Sequence, residues 1–174
     1  TSAASTPTNT TAGATVTTLA GWASLITGKG EPKWTIQKDD SAPSRPLVLK
    51  QSAWTPRPSF PLCVKPDVSF KDGFVEVKFK PLGGTNDQAA GLVWRLRDAA
   101  NYYVVRANAL EDNVVLYKVE QGKRKALDIV GRTGGYGVAA EVPGQRWSAL
   151  RVEFKGARFR VLLNRVELFT VQDA

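Results

Sequence analysis

The feature that most constrains this chain is a two-residue hydrophobic period from Ser69 onward. Turn signals break it at roughly the 8–12-residue spacing typical of an antiparallel sandwich. Val75, Val77 and Phe79 alternate with Glu76, Lys78 and Lys80, and Gly83-Gly84-Thr85-Asn86-Asp87 then interrupts the pattern. Phe159, Val161 and Leu163 alternate with Arg158 and Arg160, and Asn164-Arg165 marks a turn before residues 166–171. Successive side chains of a strand point to opposite faces, so this period suits a sheet with one buried face and does not suit a helix. Upstream, residues 28–58 are loop-rich with short strands around 34–36 and 47–51, and prolines at 43, 46, 56, 58, 61 and 66 exclude long helices. A short helical turn near residues 20–26 is the one helical expectation. The fold class expected is all-β, an antiparallel two-sheet sandwich.

The middle of the chain allows a register to be written. Residues 89–97, 101–108, 113–120 and 123–130 form a four-strand meander if hairpins close at 98–101, 109–112 and Gln121-Gly122. Leu92, Trp94, Leu96, Tyr103, Val105, Leu116, Leu127 and Ile129 then share a core face. The opposite face receives Val93, Arg95, Arg97, Tyr102, Arg106, Asn108, Val115, Tyr117, Arg124 and Asp128. Its mixture of Arg, Tyr and Asn suits a shallow binding surface better than a purely solvated one.

Absent residue types narrow the chemistry. The chain of 174 residues has no His and one Cys, Cys63. His-based acid–base catalysis, Ser-His-Asp triads, His-ligated metals, intrachain disulfides and Cys-rich zinc sites are therefore excluded. Cys63 sits in the apolar stretch Pro61-Leu62-Cys63-Val64 and is expected to pack rather than react. No run is long and apolar enough to be a transmembrane helix. The net charge of +8 is spread along the strands, with Lys123-Arg124-Lys125 the densest cluster, so no nucleic-acid partner is expected. The Ser/Thr/Ala-rich start reads as a flexible extension over residues 1–18, left by signal-peptide removal, with a sandwich domain over 19–174. That places the protein as secreted or periplasmic. Asn9-Thr10-Thr11 matches the N-glycosylation pattern, an ordinary coincidence in a Thr-rich tail.

The segment from Phe70 to Phe169 resembles the concanavalin A-like (laminin G/glucanase) jelly-roll superfamily. Within it, the pattern is nearest to the bacterial secreted DUF1080, or 3-keto-disaccharide hydrolase-like, group. The motifs behind the resemblance are KDGFVEVKFKPLGG, GLVWRLRDAANYYVVRANALEDNVVLYKVEQGKRKALDIVG and GQRWSALRVEFKGARFRVLLNRVELFTV. The resemblance implies two curved, packed sheets, with any ligand on the concave face or at the loop rim. Such domains usually continue into a further Gly-rich closing strand. Here that strand is missing after Ala174 or supplied from elsewhere, which would leave a sheet edge open to a protein partner.

Binding is better supported than catalysis. Glycosidases need two carboxyl groups facing each other across the bond, and the E-x-D-x-x-E arrangement of the superfamily's glucanases is absent. Sugars are held by aromatic rings and planar polar groups, which Arg95, Tyr102, Arg106, Asn108, Tyr117 and Asp128 would supply. The arginines would suit an acidic glycan. A structural alternative pairs Arg106 with Asp128 across the sheet. The function expected is thus a non-catalytic saccharide-binding or surface interaction module. A 3-keto-disaccharide hydrolase-like enzyme and a structural subunit pairing through an open edge are the alternatives. No cofactor is required; calcium at the rim, from Asp87, Asp98, Asn101, Asp112 and Asn113, is what the resemblance leaves open. Gly134-Gly135-Tyr136-Gly137 reads as a turn between sheets, and Trp54, between prolines, as the tryptophan best placed for exposure.

Overall fold

The computed structural model describes residues 17–44 and 46–173. Among them it contains strands and turns and no helix. The strands are β1 (Thr17–Leu19), β2 (Trp22–Thr27), β3 (Trp34–Lys38), β4 (Leu47–Gln51), β5 (Phe60–Val64), β6 (Gly73–Phe79), β7 (Ala89–Asp98), β8 (Asn101–Asn108), β9 (Asn113–Glu120), β10 (Lys123–Ala126), β11 (Val138–Ala139), β12 (Ser148–Lys155), β13 (Arg158–Leu163) and β14 (Val166–Gln172). Two antiparallel sheets make the sandwich: β10-β9-β8-β7, with β11 also paired to β9, and β14-β13-β12-β6. A third sheet, β1-β2-β5, and the separate hairpin β3-β4 are built from the proline-rich first part of the chain. Apart from the start of β1, the proposed extension over residues 1–18, with Asn9-Thr10-Thr11 in it, lies outside the described residues.

The alternation seen in the sequence becomes the core between the two main sheets. Trp94, Val105, Leu116, Leu150, Val152, Phe159 and Val161 point inward, and Val105, Leu150, Val152, Phe159 and Val161 are completely buried. Aromatic rings fill its widest part: Trp94 stacks on Tyr103 at 5.6 Å, while Phe159 meets Trp94 and Tyr103 edge-on at 5.4 and 5.0 Å. Such offset and T-shaped pairs add to the free energy of simple apolar burial. Leu127 and Ile129 pack against this core from beyond β10, as the meander register requires.

The turns explain why the pairing is so regular. Gln121-Gly122 and Asn164-Arg165 lie in two-residue loops with positive φ at both positions, the twist that matches flanking strands. Ala20-Gly21 does the same between β1 and β2, with φ of 48° and 79°. The helical turn expected near residues 20–26 is therefore a hairpin, because a left-handed pair at its start reverses the chain instead of winding it.

A second departure matters more. The pairing of β7 with β8 shifts register between Trp94 and Asp98, and Arg95 takes φ 49°. This bulge sets residues 95–97 of β7 against Tyr102 alone, two extra residues, and turns Leu96 over. Leu96, expected in the inter-sheet core, packs on the opposite face with Leu62, Tyr102 and Val119. Arg95, expected on that opposite face, is delivered to the end of the sandwich instead. Its guanidinium lies over Phe159 and Phe154 at 5.1 and 5.9 Å and donates to the Gly156 carbonyl.

The outer face of the meander is thus largely covered. β2 and β5 seat Leu25, Leu62 and Val64 against Val93, Leu96, Val104 and Val119. The Thr27 hydroxyl sits 2.7 Å from that of Tyr102 and donates to the Ala99 carbonyl at 2.5 Å, locking β2 onto the β7–β8 hairpin. Cys63, next to Leu62 on β5, is half-buried, and burial pushes its thiol above its ordinary range. Trp54 is 73% exposed, as expected. At the β14 edge, Val130 N–H donates to the Thr170 carbonyl and Ile129 bridges Val171, so residues 129 and 130 partly pair this edge.

The β3–β4 hairpin is tied to the sandwich through a polar contact. Lys80 donates to Asp39 and, at 3.0 Å, to Ser41, and its ammonium lies 5.2 Å from the Trp147 ring; Trp147 Nε1 donates to Ser41 Oγ. The hydrogen bond from Lys80 holds the Asp39 carboxyl down to about 2.

Phe159→Ala is expected to cost about 3–5 kcal/mol, the range for emptying a buried aromatic site, measured by urea unfolding. Acid should release the hairpin separately. A depressed folded-state pKa stabilises fully above the ordinary 3.8 and progressively less as pH falls towards 2. A red shift of Trp147 emission across that window, absent from Asp39→Asn, is the expected signature.

Candidate functional site

On the part of the meander face that β2 and β5 leave uncovered, polar and aromatic side chains converge on Arg106. This residue projects from the middle of β8, opposite Gly91 on β7 and Val115 on β9. A side chain at Gly91 would come 2.4 Å from the Val105 carbonyl and 3.2 Å from Arg106 Cβ, so glycine gives Arg106 its room. Arg106 is 8% exposed, and a buried guanidinium needs partners for its donors. It donates to Glu111 at 2.7 Å, to Tyr136 at 3.0 Å, and to Asn113. Burial opposes its charge, but the oxygens of Tyr117, Glu111 and Tyr136 outweigh that and hold it protonated.

A hairpin turn and a glycine-rich loop supply two of the partners. Glu111 comes from the β8–β9 turn and accepts from both Arg106 and Asn113, which holds its carboxyl below the ordinary range. Tyr136 comes from the glycine-rich segment before β11. That segment lies flat on β9: a Cβ at Gly137, where φ is 62°, would sit 2.3 Å from the Val114 carbonyl and 2.6 Å from Val115. Close approach of this backbone lets the Tyr136 hydroxyl bond that of Tyr117, with the two rings edge-on at 6.0 Å. Burial, and that hydrogen bond, raise the Tyr117 hydroxyl above its ordinary range. On the far side Arg124 is sandwiched at 4.3 Å from each of the Phe60 and Tyr117 rings. The Trp54–Phe60 loop borders the cluster, pinned by that contact and by Arg57, which donates to Asp87 and the Asn86 carbonyl.

Of the six residues expected to bind, the structure brings Arg106 and Tyr117 together. Tyr117 is only 2% exposed, so its ring supports the site from beneath. Tyr102, 3% exposed, is sealed under β2. Asn108 is completely buried and braces the neighbouring turns, accepting from the amides of Gln88 and Leu110 and donating to Asp87. Arg95 is removed to the sandwich end by the bulge. Asp128 is exposed and accepts from the Gly134 amide, anchoring the loop that carries Tyr136; Arg106 pairs with Glu111 in place of the Asp128 partner considered from the sequence.

The exposed working parts of the cluster are Tyr136, 50% exposed, and Glu111, whose side chain is 42% exposed. Sequence reasoning placed both in turns. Their signal was there in outline: a tyrosine inside a run of glycines, and a carboxylate in a hairpin tip five residues beyond a buried-face arginine.

The oxygen-bearing rim residues proposed for calcium have other partners. Asp98 accepts from the Ala100 amide and Asn101, Asp112 from the Val142 amide, Asp87 from Asn108 and Arg57, and Asn113 is bonded to Arg106 and Glu111. Among the described residues no three of His, Cys, Asp and Glu gather as a metal cluster would require. No helix of the described residues is long and apolar enough to cross a membrane.

No protein-family model and no curated protein matches this chain. Among solved structures, it is similar to the carbohydrate-binding module CBM66 from Bacillus subtilis. The TM-score is 0.63 at 19% identity, covering 88% of this chain and 80% of that one. At that identity the likeness is one of fold, and it confirms the all-β sandwich expected from the sequence.

Proposed function

We propose that this protein is a non-catalytic carbohydrate-binding module of an exported protein, and that saccharide docks at the Arg106 cluster. The observation that carries the proposal is a half-exposed Tyr136 and Glu111, both held in place by hydrogen bonds from a buried Arg106. Support also comes from a fold shared with a carbohydrate-binding module. Nearer kinship with the 3-keto-disaccharide hydrolase-like group rests on motif order alone, and export on the Ser/Thr/Ala-rich segment 1–15.

The chemistry favours a hydroxyl-rich, neutral sugar here. The Arg106 charge is already matched by Glu111, so an incoming carboxylate would have to displace an internal partner. Glu111 accepts hydrogen bonds and the Tyr136 hydroxyl can do either, a combination that suits vicinal sugar hydroxyls. The Tyr136 ring offers an apolar face. At the cluster itself Glu111 is held below its ordinary value, the reverse of what a proton-donating carboxyl requires, so binding is the chemistry this carboxylate suits.

Glu111→Gln and Tyr136→Ala should each weaken retention on immobilised neutral glycans at least tenfold while circular dichroism shows an intact fold. Undiminished retention by both folded variants would remove the cluster as the site. The acid limb follows from Glu111. Its folded pKa lies below the ordinary 4.5, so the carboxylate persists at pH 4.5 and is lost only at more acid pH. Retention measured from pH 7 downward should hold through 4.5 and then fall.

A further inference from the structure

The Arg95 bulge points to a second site. The φ of 49° at Arg95 is one that glycine or asparagine adopts more cheaply, and turning Leu96 onto the outer face needs only the backbone of residue 95. The chain nevertheless carries arginine there, and its guanidinium is held over Phe159 and Phe154 and bonded to the Gly156 carbonyl. Non-glycine residues in left-handed backbone and bulges that re-aim a side chain both concentrate at functional positions.

Arg95 opens onto a concavity of about 460 Å³ at the end of the sandwich, lined by Phe70, Lys71, Gly156, Ala157 and Asp173. Phe70 stacks on Phe154 at 5.5 Å yet remains 44% exposed, presenting an aromatic wall. Asp173 is the one acidic residue of the lining. It is already neutralised by Lys118 at 3.1 Å and takes the Tyr103 hydroxyl at 2.6 Å. Among the described residues neither Arg95 nor Lys71 has a carboxylate within ion-pair distance, and Asp72 is held by the Gly156 amide. Arg106 gives three hydrogen bonds to its own protein and its charge is matched by Glu111, whereas Arg95 gives one to Gly156 and keeps others for a ligand.

We infer that this end pocket binds an acidic saccharide, its carboxylate on the Arg95 guanidinium with Lys71 beside it and its ring against Phe70. The site is separate from the Arg106 cluster, which faces outward from the meander, while this one opens where the two main sheets meet. A guanidinium already held by the aromatic rings and by Gly156 loses little freedom when a carboxylate arrives, and Arg offers the fork that a carboxylate matches.

The test is an amide-resolved NMR titration of the full chain with digalacturonate, its methyl ester and succinate. Digalacturonate should shift the amides of Lys71, Arg95, Gly156 and Ala157, with the ester at least tenfold weaker and succinate weak. Arg95→Gly suits the positive φ of this position and removes the whole side chain with its guanidinium, so it should fold normally and lose at least tenfold in digalacturonate affinity. Retention on neutral glycans through Glu111 and Tyr136 should be unchanged in that variant. Digalacturonate binding that survives Arg95→Gly, or that leaves these four amides unmoved, would overturn the site. Equal binding of succinate would overturn the saccharide.

Discussion

The meander sheet is covered on both faces, and that double burial governs where polar groups can go in this protein. One face meets the second main sheet through completely buried valines, leucines and Phe159. The other is sealed in part by β2 and β5, through Leu62, Tyr102 and Val119. A charged residue on such a face cannot simply turn to water. Arg106 must be matched, and the Glu111, Asn113 and Tyr136 around it are the matching. The same requirement that stabilises the arginine also fixes two half-exposed side chains in definite positions. A preorganised surface of that kind loses little conformational entropy when a ligand settles on it.

Much of the fold was legible in the sequence because its governing signals are local. The alternations Val75/Val77/Phe79 and Phe159/Val161/Leu163 became inward faces, and the hairpin closures written for the meander match the observed pairing. The bulge was not legible. Trp94-Arg95-Leu96-Arg97 alternates without a break, and nothing local announces that Arg95 will adopt left-handed backbone. What decides it is the apolar seat that Leu62 and Tyr102 provide for Leu96 from far along the chain and across the hairpin. Tyr102 and Asn108 were misjudged for the same kind of reason. A solvated polar residue and one buried beneath a distant strand look identical in a single sequence. Glu111 and Tyr136 went unassigned because loop residues are read as turn formers until a fold shows what they lean on.

The outer face of the second sheet shows how the basic balance is accommodated. Glu76, Arg151, Glu153, Arg160 and Glu167 form a continuous ladder of ion pairs across β6, β12, β13 and the β14 edge, with Arg151 also 3.6 Å from the Phe74 ring centroid. Exposed pairs of this sort contribute little to stability individually. Their consequence is electrostatic: arginines within the ladder are matched side by side and create no concentrated basic field.

Set against that ladder, Arg95 and Arg106 show why position, more than residue type, decides what an arginine does here. All of these arginines come from strands of similar alternating sequence. Those on the outer face of the second sheet neutralise neighbours in water. Arg106, buried beside Tyr117, works as a scaffold whose charge is spent internally. Arg95 alone is carried by a register shift to the junction of the two sheets, held by aromatic rings and one carbonyl, with no internal carboxylate partner among the described residues. A cation fixed in that way keeps its charge available, because the contacts that orient it do not neutralise it. Aromatic rings and a carbonyl orient this guanidinium without neutralising it, as a carboxylate would have done.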